Sequence, residues 1–318
     1  VDEWLLSLRH VANTNEQYDF LPGIVEDEIL CVFSRLENDL LPWHEADRVL
    51  MHPKVEARTT SMFKAMPING FFNLPSAQKY CYLILRQVDW FVCARDDQLW
   101  TLQSKLTIES EDLIPSDDQI SRANDLRRAL EHWRKAFQPI VTSSAKTGGN
   151  NYLVATALLL RFTCSHIALN CCLDSELSYD SYASEFGNAI CFAKLLLNAA
   201  AYSNPNTFIV SSILVRSLYF IALKCRQKNL RQRAASYLQS IPTRREGIWD
   251  ARVASTVANI IVNLEMESKS GSTNGDTRLS AIKTSFDLHL QQGKLRYLTT
   301  SSDSGYIKLI ASTLEFSW

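Results

Sequence analysis

Several groupings of polar residues have the types and spacing that chemistry requires. The run "WHEADRVLMH" holds His44, Glu45, Asp47 and His52. His44 and Asp47 stand three apart, so on a helix they would share a face, as an acid–base pair does. The run lacks the His-Glu-x-x-His spacing of zinc proteases and Pro53 follows at once, so no metal is expected and a structural role competes with catalysis. His166 follows Cys164 by two residues in "RFTCSHIALNCC". Two such residues point to different helix faces, which predicts a core histidine rather than one half of a nucleophile–base pair.

Two further groupings suit binding. Arg86, Asp89 and Trp90 share the run "LILRQVDWFV". A polar pair with an aromatic wall could hold a small polyketide-like or acidic ligand, although an ion pair between residues three apart gives the same pattern. Arg216 interrupts the apolar run "LVRSLYF", three residues before Tyr219. Burying an arginine there requires a partner, so a ligand contact, a carboxylate and an outward-snorkelling side chain all remain open. The run "RREGIWD", residues 244–250, reads as the start of a helix: Gly247 breaks the chain, Asp250 suits the positive helix end and Trp249 anchors the turn. No Gly-x-Ser-x-Gly, P-loop or Rossmann glycine pattern occurs, so no cofactor is expected.

The elements that must position these residues are helices. Only 10 glycines and 9 prolines occur in 318 residues, too few for the turns of a sandwich or barrel. Apolar residues recur at three- and four-residue steps over 24–41, over a central helix from Pro75 or Ser76, and over a helix opened by the Ser116/Gln119 capping box. The last carries Ile120, Leu126, Leu130, Trp133 and Phe137 as its stripe. Residues 142–151, "TSSAKTGGNN", read as the most flexible loop. Helical segments follow near 152–173, 178–202, 206–227 and 229–240, then from "GIWD" to Ser268. The expected fold is all-α, an antiparallel multi-helix bundle or irregular array with a small C-terminal β-hairpin. It divides into a helical unit over 1–267, a surface loop over 268–276, and a C-terminal helix and hairpin over 277–318 packed on that unit.

Composition narrows the partners. With 33 basic and 34 acidic residues the chain lacks the positive balance of a nucleic-acid grip, and the cation-rich run at 224–235 reads as a solvated helix end. Eight cysteines without Cys-x-x-Cys spacing predict reduced thiols in an intracellular compartment. No stretch reads as a membrane span, and Val1 is expected to be a trimmed edge rather than the start of a signal peptide.

In order, these segments resemble the C-terminal regulatory region of fungal zinc-cluster transcription factors. "EILCVFSRLENDL" carries Phe33 and Arg35 to Glu37; "FFNLPSAQ" carries Phe72, Leu74 and Ala77; "LEHWRKAF" carries Trp133 and Phe137; "SELSYDSYASEF" carries Glu176, Asp180 and Phe186. The closing signature matches Leu218, Tyr219, Cys225, Arg226, Arg231, Ala234, Leu238, Glu246, Gly247, Trp249, Asp250 and Glu265 in register. The resemblance implies an effector- or partner-binding regulatory domain, of secondary metabolism, in the nucleus. DNA contact would be made by an N-terminal six-cysteine module that this chain does not contain, and a homodimer is admitted. Arg216 and Ser217 stand where the family often has proline. The alternative is a cytoplasmic, cofactor-independent acid–base enzyme on the same fold, an isomerase, cyclase or hydrolase of a secondary metabolite.

Overall fold

The computed structural model describes residues 63, 65–105, 108, 110–199, 213–271, 278–287, 289–303 and 306–318. Among them, seven α-helices precede a small antiparallel sheet: α1 Leu74–Gln103, α2 Asp117–Thr147, α3 Gly149–Cys171, α4 Ala183–Asn198, α5 Leu214–Lys224, α6 Lys228–Gln239 and α7 Ala251–Gly271. The expected helix at 24–41 lies outside the described residues.

The helix starts follow from side chains. Asn73 Oδ1 accepts from the Ser76 amide at 2.9 Å and opens α1, with Pro75 in the first turn where its missing N–H costs nothing. Ser116 and Gln119 close a reciprocal capping box at the start of α2, with Asp117 and Asp118 beside its positive end. The stretch 142–151 is not a loop: α2 runs to Thr147 and α3 begins at Gly149. The reversal is made at Gly148 and Gly149, at φ 66° and 72°, a conformation that other residues seldom adopt.

Helix α3 is the wall between two cores. It is apolar all round, which suits a helix packed on every side. One core joins α1, α2 and α3 around Trp133, which stacks on Phe137 at 4.5 Å and Phe162 at 5.5 Å and donates its indole N–H to the Ala77 carbonyl at 2.8 Å. The other joins α3 to α4, α5, α6 and α7 around Phe186, Leu218 and Trp249. Each large apolar side chain buried this way contributes about 1.5–3 kcal/mol. Helix α3 is also long and apolar enough to cross a membrane, which the sequence reading did not anticipate; here 72% of its apolar window is buried against its neighbours.

The C-terminal segment departs from expectation. Residues 279–287 form a strand where a helix was expected, because Ile282, Thr284 and Phe286 alternate as strand formers and find a partner strand. Three strands therefore pair in the order β3 Leu279–Asp287, β4 Gln292–Asp303, β5 Tyr306–Ser317, after the two-residue strands β1 Arg245–Glu246 and β2 Trp249–Asp250. The β4–β5 pair is the hairpin anticipated from its alternation. A bulge in β3 sets Ala281 at φ 46°, and the Trp100 indole N–H holds that carbonyl at 2.7 Å. Lys283 reaches Asp97 of α1 at 2.6 Å, and Leu279 and Leu295 enter the second core, so the sheet packs on the helices.

Candidate functional site

Three helices bring charged side chains together at the seam of the two cores. From α1, Asp89 presents Oδ2 to Arg161 of α3 at 2.6 Å and to Arg216 of α5 at 2.9 Å. The three side chains are 8–9% exposed. Arg161 also donates through Nη1 to the Ser165 hydroxyl, one turn on, at 2.8 Å. Behind Arg216, the Trp249 ring lies 5.9 Å from the guanidinium and meets Tyr219 edge-on at 5.4 Å. Arg86 is buried one turn before Asp89.

Of the predicted ligand-binding residues, Asp89 and Arg216 therefore meet in one centre, with Tyr219 reached through Trp249. In place of the local ion pair weighed as the alternative for Arg86 and Asp89, Asp89 takes partners from α3 and α5. Trp90 is half-buried beside Asp89 in sequence. Arg161 is the member that the sequence reading missed. Its signal is the same as that of Arg216: an arginine inside an apolar helical run, here "ALLLRFTC".

The catalytic candidates do not assemble. His44 and Asp47 lie outside the described residues. His166 stacks on Phe162 at 5.8 Å and accepts at Nε2 from the Asn170 amide at 3.1 Å. Burial lowers its pKa, which Glu185 and Glu131 only partly oppose, so the ring is neutral near pH 7. Cys164 turns instead toward the Ser217 carbonyl, at 4.0 Å. Burial also pushes the thiols up, Cys164 and Cys171 to about 11 and Cys172 to about 12, which leaves them poor nucleophiles. His132, half-buried, hydrogen-bonds the Pro67 carbonyl at 3.1 Å.

The cation-rich run corrects another expectation. Lys224, Arg226 and Arg231 turn inward rather than into solvent. Arg226 and Arg231 both pair with Glu265 of α7, Arg231 at 2.7 Å. Lys224 pairs with Glu176 at 2.5 Å, and Arg231 Nε donates to the terminal Ala222 carbonyl of α5 at 2.6 Å. Glu265 Oε1 also accepts from the Leu279 amide at 3.2 Å and so ties β3 to α7. Burial raises Glu265, but Arg231 and Arg226 outweigh it and hold the carboxyl below its ordinary value.

"RREGIWD" is architecture as expected. Gly247, at φ 58°, turns the β1–β2 ribbon. Glu246 is fully buried, takes Arg244 at 2.7 Å and accepts from the Val215 amide at 3.0 Å, so it caps the start of α5. Asp250 accepts from the Arg252 and Val253 amides at the start of α7. Comparison with protein-family models, with curated proteins and with solved structures found no match to this chain.

Proposed function

We propose that this chain is an effector- or partner-binding regulatory domain of the kind found in fungal zinc-cluster transcription factors. In this reading it acts in the nucleus on genes of secondary metabolism, takes a small-molecule effector or a co-regulator, and leaves DNA contact to another module. One observation carries the reading: Asp89, Arg161 and Arg216 join three helices, across two cores, by side chains alone. Such a buried centre can exchange partners without breaking a backbone hydrogen bond, so the two cores can shift relative to one another when something binds. The residue signature described above supplies the family.

The test joins the chain to an unrelated DNA-binding domain and measures a reporter gene in a fungal host. The fusion is expected to change reporter output relative to the DNA-binding domain alone. Asp89→Asn, confirmed folded by circular dichroism, is expected to shift that output several-fold by weakening the seam. Output equal to that of the DNA-binding domain alone, for both chains, would overturn the reading.

A further inference from the structure

The Asp89 centre is rich in donors. Two guanidiniums share a single carboxylate oxygen. Arg161 spends its remaining terminal nitrogen on Ser165, itself a donor. The Ser217 hydroxyl, in a residue 1% exposed, has no oxygen or nitrogen acceptor among the described residues and meets only the Cys164 sulfur, a weak acceptor. It lies against the same stretch of α3 as Arg161, since the Cys164 thiol, three residues after Arg161, meets the Ser217 carbonyl. A buried donor without a strong acceptor costs about 1–3 kcal/mol, so the Ser217 hydroxyl calls for an additional acceptor.

We propose that this centre docks the carboxylate of a small aromatic acid, recognised by Arg161, Arg216 and the Ser217 hydroxyl. A carboxylate suits the planar guanidinium fork better than a spherical ion does. Asp89, Arg161 and Arg216 together carry one unit of positive charge, which a monoanion neutralises and a dianion would overshoot. The Trp249 ring beside Arg216, with Tyr219 edge-on to it, supplies a flat apolar surface for an aromatic body. Entry of the acid gives the two arginines a second carboxylate, so that Asp89 need no longer hold both. The inference rests on the reading of the chain as an effector-binding domain.

Calorimetric titration of the purified chain with benzoate and 2-naphthoate, and with their neutral amides, tests it. The acids are expected to bind and to raise the melting temperature, and the amides to bind at least tenfold more weakly. Ser217→Ala deletes only a hydroxyl that lacks a strong acceptor, so it folds, and it weakens the acids about fivefold, the worth of one hydrogen bond. Three results each overturn the site: neither acid binds, acids and amides bind alike, or Ser217→Ala binds the acids as the parent does. A chain that drives the reporter but binds neither acid loses this site and keeps its regulatory role. A chain that binds the acids but leaves the reporter unmoved keeps the site and loses the regulatory role.

Discussion

Two of the buried ion centres among the described residues are built from the same residue types on opposite principles. At the seam, Asp89 accepts only from the side chains of Arg161 and Arg216 among the described residues. At the corner of α5, α6 and α7, Glu265 accepts from Arg226 and Arg231 and from the backbone amide of Leu279, while Arg231 also donates to the end of α5. Removing the corner carboxylate therefore orphans a main-chain donor and loosens β3. Removing the seam carboxylate takes the shared anion from two guanidiniums and, among the described residues, from no backbone group. The corner is built to stay as it is, whereas the seam is built so that it can change.

The largest expected effect breaks the seam. Asp89→Ala leaves two buried arginines without their shared carboxylate, and the chain is expected to lose about 3–5 kcal/mol in urea unfolding. The apolar triple variant Asp89→Leu, Arg161→Met, Arg216→Met is expected to recover the parent stability or exceed it, because a desolvated ion cluster seldom outweighs packed apolar side chains. It is also expected to lose reporter regulation. If the triple variant stays as unstable as Asp89→Ala, the seam is a structural element and the contrast between the two centres fails.

A smaller effect separates charge from backbone at the corner. Glu265→Gln keeps an acceptor for the Leu279 amide and loses the charge facing Arg226 and Arg231. Glu265→Ala loses both. The second is expected to cost about 1–3 kcal/mol more than the first, the penalty for an unsatisfied buried amide. Hydrogen exchange is expected to place the added opening at residues 278–287, the start of the sheet. Equal losses in the two variants would mean that the corner, too, is held by side chains alone.

These centres were unequally legible in the sequence. Local chemistry could be read directly: the Ser116 capping box, the Gly247 turn and the Asp250 cap all act within a few residues of chain. The stripe Leu126, Leu130, Trp133 and Phe137 is buried as its spacing predicts, yet Ile120, assigned to it, is 42% exposed because the first turn of α2 projects past the core. The glycine pair in "TSSAKTGGNN" signalled a break correctly but its length wrongly, since the two glycines, both at positive φ, reverse the chain by themselves. Arg216 was noticeable as a charge in an apolar run, and Arg161 carried the same mark. Their shared partner was not legible: Asp89 lies 72 residues from Arg161, and spacing along one helix pointed to Arg86 instead. Periodicity finds which residue must be paired, and only tertiary packing decides with what.

The smallest expected effect joins the two centres through α1, which sends Asp89 to the seam and, two turns later, Asp96 toward the corner. Burial raises the Asp96 carboxyl from 3.8 to about 6; Lys224 and Lys283 oppose the rise, while Glu176 and Asp97 add to it. From about pH 4 to about pH 6 the folded chain thus keeps a proton that the unfolded chain releases, and stability contributed at Asp96 falls as pH rises through that window. Asp96→Asn removes the titration. Relative to the parent, the variant is expected to gain stability steadily across the window and to hold a constant advantage above it, as read by urea unfolding at matched ionic strength. Glu265 has the opposite sign, because its lowered carboxyl favours the fold as pH rises through its own range. Only the difference between variant and parent therefore isolates Asp96. Parallel stability profiles would mean that the end of α1 is not buried against the corner, and that the two centres are not joined through that helix.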